Sequence, residues 1–233
     1  MIDSTNKMKK PSYFTPAFAR RVQLALKRNR SEMRDVYHHP SEKRIVEKCI
    51  DLSCQKPLHD ASGGHPKSSS SEEKWLEAYL IRKAKRNDWI LELANKRFQF
   101  LYSQLNFRST QTTNPRPLDL LLYEPGTYSL VILELKVERR LKEAKEKELK
   151  YYAERVSEIK HEIAGVFHLT KILGVRSYIV WPRNERANND RHDFGLFGVI
   201  EYTKTPKPWD KFRELGEDMI IDFSCVKESE IVG

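Results

Sequence analysis

A marked pattern of apolar and polar positions occupies residues 118–136, which read LDLLLYEPGTYSLVILELK. Two apolar runs flank a Pro-Gly pair, and this pattern predicts two β-strands joined by a tight turn. The centre of the turn falls between Gly126 and Thr127. A glycine followed by another residue is typical of a two-residue type II′ turn, whereas a four-residue loop over Pro125–Tyr128 has the same centre. Both alternatives give the hairpin the same register.

Three charged side chains interrupt this apolar hairpin. In the predicted register the numbers of paired residues sum to 253, so Asp119 lies opposite Glu134. Opposite residues share a face of the sheet, with Cβ atoms about 5 Å apart. Lys136, two residues beyond Glu134, belongs to the same face. The sequence therefore predicts that two carboxylates and an ammonium group converge on one spot.

The rest of the pattern predicts a mixed α/β core that follows a helical N-terminal region. Ser70 and Glu73 form a capping box at the start of a helix, and Glu73 and Glu77 lie four residues apart, on one face. No repeat and no glycine-rich phosphate-binding loop is present. The predicted order from residue 70 onwards is α-α-β-β-β-α-β-β. Its later members are a helix over 88–102, strands over 105–108, 118–123 and 130–136, helical segments over 139–174, and strands over 176–182 and 195–203.

Composition shifts divide the chain. Residues 56–71 are rich in Pro, Gly and Ser and read as a linker. We therefore expect a basic helical N-terminal region over 1–55, the linker, a folded domain over 72–204, and a C-terminal extension over 205–233 that packs on the core.

The distribution of charge along the chain indicates a class of partner. The net charge is +9, and residues 1–70 hold 14 Lys/Arg against 7 Asp/Glu, whereas residues 71–233 hold 28 against 26. Such an excess favours a polyanionic partner, which would be nucleic acid, although a basic tail that only aids solubility has the same composition. Basic side chains on the predicted first helix are the candidates for phosphate contacts: Arg20, Arg21, Lys27 and Arg28.

Composition also narrows the class of protein. Three cysteines make an odd number and suggest no disulfide framework, and no run of about 18 apolar residues predicts a transmembrane helix. The N-terminus lacks the apolar segment of a signal peptide. We therefore expect a cytoplasmic protein without membrane contact.

The convergence of Asp119 and Glu134 has a chemical consequence. Two adjacent carboxylates repel, and one takes up a proton unless a positive charge lies between them. Oxygen ligands completed by water suit Mg²⁺, and Lys136 could then orient an attacking water or stabilise charge on a phosphate. The alternative is a solvated salt-bridge cluster on a strand face, which contributes little.

Asp119 followed by Glu134-Leu135-Lys136 resembles the motif of the PD-(D/E)xK nuclease superfamily. Leu118 stands where the motif has Pro, which occurs one position earlier, at Pro117. A longer similarity over about residues 72–204 resembles the catalytic domain of the YhcG-type branch. It is carried by LEAYLI, WILELANKRFQFLYSQLNF, RPLDLLLYEPGTYSLVILELK, KELKYYAERV and GLFGVIEYT.

This resemblance implies a restriction-endonuclease-like core, a mixed central β-sheet flanked by helices. It implies that Asp119, Glu134 and Glu77 are metal ligands and Lys136 is the catalytic lysine. Gln104 would match a glutamine that touches DNA. Glu148 departs from the pattern, because the branch has Gln there, and this departure bears on activity.

The expected function is a nuclease that hydrolyses phosphodiester bonds, in DNA, with Mg²⁺ or alternatively Mn²⁺. Two other readings stay open: a catalytically silent nucleic-acid-binding protein with the same fold, and a subunit of a restriction or defence complex. A homodimer is compatible with each of them.

Overall fold

A computed structural model describes residues 72–105, 118–137, 143–167, 169–183, 196–205 and 220–232, and they form an α/β structure with a mixed sheet. The expected N-terminal region and linker, with Ser70, Arg20, Arg21, Lys27 and Arg28, lie outside these residues. In chain order the elements are α1 (Glu72–Arg86), β1 (Ile90–Leu93), β2 (Lys96–Leu105), β3 (Leu118–Glu124), β4 (Ser129–Leu135), α2 (Glu143–Glu158), α3 (Lys160–Phe167), β5 (Gly174–Pro182), β6 (Gly198–Thr205) and β7 (Ile220–Lys227).

The seven strands lie in the sheet in the order in which they occur in the chain. Strands β1 to β4 are antiparallel neighbours, β4, β5 and β6 run parallel, and β7 is antiparallel to β6. Antiparallel neighbours need only a short turn, whereas a parallel pair needs a crossover. Helices α2 and α3 provide that crossover between β4 and β5.

Each face of the sheet carries its own apolar core. Helix α1 packs on one face with buried Leu76, Leu80 and Ile81, in contact with alternate residues of the strands such as Leu120 and Leu133. Helices α2 and α3 cover the other face through a second set of buried side chains, which includes Leu149, Tyr152, Val156 and Ile163. Because both faces are covered, β3 and β4 read as nearly continuous apolar runs rather than as alternating ones.

The prediction of a helix over 88–102 is wrong, because this segment forms the hairpin of β1 and β2. Asp88 and Trp89 have φ angles of 49° and 67° and end α1. Ala94 and Asn95 have φ angles of 51° and 61°, which is the backbone of a two-residue hairpin turn. The helix-favouring Leu, Glu, Lys and Arg of the segment predicted a helix, and tertiary pairing overrides that preference.

The hairpin predicted over 118–136 is confirmed in its register. Leu120 pairs with Leu133 and Glu124 with Ser129, and both pairs sum to 253. The connection is the four-residue loop Pro125–Tyr128, closed by a hydrogen bond of 3.3 Å from the Thr127 N–H to the Glu124 carbonyl oxygen.

Most of the remaining predicted elements are present, although their bounds differ. The segment predicted to be helical contains α2 and α3, and the strands predicted over 176–182 and 195–203 correspond to β5 and β6. Of the strand predicted over 105–108, only Leu105 lies in the described part of the chain, where it ends β2. Strand β7 was not predicted, and it extends the sheet from within residues 205–233.

The two edges of the sheet approach each other around α1. The β1–β2 turn, through Ala94 and Asn95, lines a cavity of about 410 Å³ together with Ile221 and Phe223 of β7. Lys83 of α1 lines the same cavity, and its Nζ lies 5.6 Å from the centre of the Phe223 ring. Across the described residues, no helix is long and apolar enough to cross a membrane.

Candidate active site

Asp119 and Glu134 meet where β3 begins and β4 ends. The register of the hairpin, continued one step beyond Leu120 and Leu133, sets them opposite each other. The Leu135 N–H donates a hydrogen bond of 2.8 Å to Asp119 Oδ2, so the aspartate is held against β4. Glu134 is buried and Asp119 is partly exposed. Glu134 is therefore enclosed by the protein, whereas Asp119 keeps partial contact with solvent.

The charges of the two groups act on each other. Burial raises the pKa of Asp119 well above its usual range, and the neighbouring charge of Glu134 raises it further. Lys136 and the Leu135 N–H act in the opposite direction, because they favour the ionised carboxylate. The pKa of Asp119 is thus raised in spite of the nearby lysine and the backbone donor.

Lys136 is buried beside Glu134. Its Nζ donates to Glu134 Oε1 at 2.7 Å and to the Leu135 carbonyl oxygen at 2.6 Å. The backbone is also fixed, since the Lys136 N–H donates to the Val180 carbonyl oxygen at 2.8 Å and the Tyr202 hydroxyl donates to the Lys136 carbonyl oxygen at 3.3 Å. A buried ammonium group needs such partners to offset its lost hydration.

Glu77 reaches the same site from α1. It is buried, and burial raises its pKa to about 7, against the lowering effects of a hydrogen bond from Gln104 and of the charge of Lys74. The charge of Glu77 raises the pKa of Asp119 as well, which shows that the two carboxyl groups are neighbours. Helix α1 therefore contributes a third acidic side chain to the pair on the hairpin.

Gln104 links the helix to the hairpin. Its Nε2 lies 3.4 Å from Asp119 Oδ1, and the same side chain forms the hydrogen bond with Glu77. Its φ angle is 55°, an uncommon backbone conformation for a residue other than glycine. This backbone turn occurs at the end of β2, directly beside the acidic residues.

Sequence reasoning missed two members of the site. The capping box accounts for Glu73 in the sequence, yet its Oε1 lies 3.5 Å from Lys136 Nζ. Tyr202 was read only as a strand residue, yet its hydroxyl contacts the Lys136 backbone. The helical spacing of Glu73 and Glu77 was the one signal that could have identified Glu73.

The candidate metal ligands are brought near one another, but they do not form a complete metal site. Within the described part of the chain, no three His, Cys, Asp or Glu side chains are arranged to hold a metal ion. Glu134 Oε1 accepts a hydrogen bond from Lys136 Nζ. Glu148 lies in α2, next to the buried Leu149.

Comparisons of the chain with protein-family models, with curated proteins and with solved structures give no match.

Proposed function

We propose that the protein is a metal-dependent nuclease that hydrolyses phosphodiester bonds in DNA, built on a restriction-endonuclease-like core. One observation carries this proposal: Asp119 and Glu134 converge at the end of a hairpin, with the Lys136 ammonium group 2.7 Å from Glu134. The buried Glu77 next to Asp119 adds a third acidic group.

The donors of the site suit Mg²⁺ in kind, although the described residues do not arrange three metal-ligating side chains around one point. Asp119 and Glu134 offer hard oxygen ligands, and a site with two carboxylates and several waters is typical of this ion. Asp119 is partly exposed, so water and substrate would reach the site from its side. Burial and the charge of Glu134 raise the pKa of Asp119, and a cation bound between the two carboxylates would lower it. Mn²⁺ satisfies the same ligands.

Bound metal would supply a more acidic water and would neutralise charge on the scissile phosphate. The side chains of the protein would hold the metal and contact the substrate. Asp119 and Glu134 would hold the ion, with Glu77 as a further acidic ligand or as the acceptor of a proton from water. Lys136 Nζ would donate hydrogen bonds to a non-bridging phosphate oxygen and so favour the transition state, where negative charge accumulates.

The overall charge of +9 supports a polyanionic substrate. The predicted helix that carries Arg20, Arg21, Lys27 and Arg28 would add affinity through phosphate contacts that do not depend on base sequence. Binding should then weaken strongly as salt concentration rises.

A cleavage assay tests the proposal directly. Supercoiled plasmid and single-stranded DNA are each incubated with the wild type, Glu134→Gln and Lys136→Met, in Mg²⁺, Mn²⁺ or EDTA. We expect the wild type to cleave in either metal and not in EDTA. Each variant should be slower by about 100-fold or more, because each loses a group that acts on the transition state. Glu92→Gln, an exposed change on β1, is the matched control and should cleave like the wild type.

The second candidate is a nucleic-acid-binding protein that does not cleave. It is favoured by the ion pair of Lys136 with Glu134 and by the lack of three metal-ligating side chains in suitable geometry among the described residues. Salt-sensitive DNA binding by a wild type that shows no cleavage in either metal would establish it and would contradict the nuclease proposal. Failure to bind DNA as well would favour a role as a subunit of a larger complex.

A further inference from the structure

We propose that Arg183 binds the phosphate next to the reacting one, so that the polynucleotide backbone runs along the carboxyl ends of β4 and β5. This inference rests on the proposed function and adds a substrate contact that none of the motif residues supplies. The contact joins a guanidinium group to a phosphate outside the acidic centre, so it needs no bound metal. The carboxyl ends of parallel strands are the usual place for ligands of α/β sheets.

Arg183 lies directly after the end of β5, the strand that neighbours β4. Leu135 pairs with Val180 in this parallel pair, and the hydrogen bond from the Lys136 N–H to the Val180 carbonyl oxygen carries the ladder one residue further. Lys136 is therefore level with Trp181, two residues before Arg183. Because side chains alternate between the two faces of a strand, Arg183 belongs to the same face of the sheet as Lys136.

The backbone of Arg183 is fixed in this position. Its N–H donates a hydrogen bond of 2.8 Å to the Tyr202 carbonyl oxygen, which carries the ladder of β5 and β6 through Arg183. The hydroxyl of the same tyrosine donates to the Lys136 carbonyl oxygen at 3.3 Å. Neighbouring strands lie about 4.8 Å apart and rise about 3.3 Å per residue, which sets the Cα atoms of Lys136 and Arg183 about 8 Å apart. A long side chain at Arg183 therefore reaches the region beside the group that Lys136 contacts.

The acidic centre around Lys136 needs cations at its rim before a polyanion can approach it. Four acidic side chains belong to this centre: Glu73, Glu77, Asp119 and Glu134. Their negative charges repel a phosphodiester backbone, whereas an exposed cation beside them attracts it. Arg183 is exposed, and a guanidinium group presents paired donors that match the oxygens of a phosphate. Arg183 therefore suits a phosphate that lies next to the one at Lys136.

Arg97 provides the matched control. It is an exposed arginine of the same sheet, and it lies on β2 beside the β1–β2 turn. The other end of β2 is the end near the site, because Leu105 there pairs with Leu118, next to Asp119. Replacement of Arg97 thus changes the total charge of the protein by the same amount, at the end of the sheet away from the acidic centre.

The test is DNA binding by the full chain in EDTA, measured by fluorescence anisotropy over a range of NaCl concentrations. The probes are a fluorescein-labelled single-stranded oligonucleotide and the duplex of the same sequence. For the form that the wild type binds more tightly, we expect Arg183→Gln to weaken binding about 10-fold, as for a lost hydrogen bond between charged groups. The slope of log K against log salt should also fall by about one, because one phosphate contact is lost.

Two further proteins are compared in the same assay. Arg97→Gln should keep affinity within about twofold of the wild type and leave the salt slope unchanged, since it removes no phosphate contact. Arg183→Lys should lie between the wild type and Arg183→Gln, because it keeps the charge but loses the paired donors. Equal weakening by Arg183→Gln and Arg97→Gln would overturn the inference, since the effect would then come from total charge. No weakening by Arg183→Gln would overturn it as well.

Cleavage kinetics in Mg²⁺ test the placement of the contact beside the reacting phosphate. Arg183→Gln should raise KM about 10-fold and keep kcat within about twofold, because a neighbouring phosphate is bound equally in the ground state and in the transition state. A lower kcat with an unchanged KM would overturn this placement. A wild type that binds DNA through Arg183 but cleaves it in neither Mg²⁺ nor Mn²⁺ would establish the phosphate contact and contradict the nuclease proposal. A wild type that binds neither probe would contradict both.

Discussion

Gln104 and Asp119 face each other across β2 and β3, with Gln104 Nε2 3.4 Å from Asp119 Oδ1, and the same amide is hydrogen-bonded to Glu77. One uncharged side chain thus joins the acid of helix α1 to the acid of the hairpin. Because its hydrogen bond favours the ionised form of Glu77, the amide opposes the effect of burial on that carboxyl group.

Replacement of Gln104 by Leu should raise the pKa of Glu77 above its value of about 7. The substitution removes the hydrogen bond that lowers this pKa, and it leaves the backbone preference at a φ of 55° similar, since neither residue is glycine. The measurement is a pH titration of the Glu77 side-chain carboxyl carbon by NMR. Ser224→Ala, at an exposed position of β7, is the control. An unchanged pKa of Glu77 in Gln104→Leu would contradict the role of the amide.

Stability should fall as pH rises from about 4.5 to about 7. The pKa of Glu77 is raised from 4.5 to about 7, so the folded state binds more protons than the unfolded state in that range. The free energy of unfolding therefore decreases as pH rises through it. A shift of this size corresponds to about 3 kcal/mol.

Glu77→Gln should remove the part of this dependence that Glu77 contributes and stabilise the metal-free protein at pH 8, while Asp119, whose pKa is also raised, retains its own part. Urea unfolding at pH 5 and pH 8, in EDTA, measures the free energy of unfolding of the wild type and of Glu77→Gln. Glu72→Gln is the control because Glu72 is exposed, and it should retain the slope of the wild type. A Glu77→Gln protein with that same slope would show that another group governs the pH dependence.

Gly198→Ala should destabilise the fold by about 2 kcal/mol or more, since added volume in a close-packed site forces displacement. A Cβ at this position would collide with the ring of Tyr178 and lie 2.7 Å from the Ser229 backbone nitrogen. The backbone contact cannot be relieved by a side-chain rotation. Thermal or urea unfolding measures the loss.

Gly126→Ala is the control for that substitution, because a Cβ there meets no atom within 4 Å. It should change the free energy of unfolding by less than about 0.5 kcal/mol. Equal effects of the two alanines would mean that the segment at Ser229 is not packed against β6 as described.

Ala94→Gly should stabilise the protein by about 1 kcal/mol, because an alanine with a φ of 51° carries a steric cost that glycine does not. The opposite sign is expected for Ala78→Gly within α1, where glycine costs about 1 kcal/mol relative to alanine. The pair of variants is compared by urea unfolding. A destabilised Ala94→Gly protein would rule out the left-handed turn between β1 and β2.

The hairpin of β3 and β4 could be predicted because its pattern is local. A Pro-Gly turn between two apolar runs fixes the register, and the register alone sets Asp119 opposite Glu134. The contact of Lys136 Nζ with Glu134 follows from the two-residue spacing. The roles of these residues in metal binding and catalysis stay predictions.

The hairpin of β1 and β2 and the contribution of Glu73 could not be predicted, for different physical reasons. The first depends on left-handed backbone at Ala94 and Asn95, and alanine gives no sign of such a turn. The second depends on the angle at which α1 crosses the sheet, which helical spacing does not determine. A capping role already explained Glu73, so nothing in the sequence required a second one.

The sheet keeps its strands in chain order, so different parts of the site depend on different lengths of the chain. The pairing of β3 with β4, which sets Asp119 opposite Glu134, needs no residue beyond the end of β4. The backbone partners of Lys136, Val180 and Tyr202, are synthesised only later, on β5 and β6. The acidic pair is therefore contained within one hairpin, whereas the anchoring of its lysine needs two further strands.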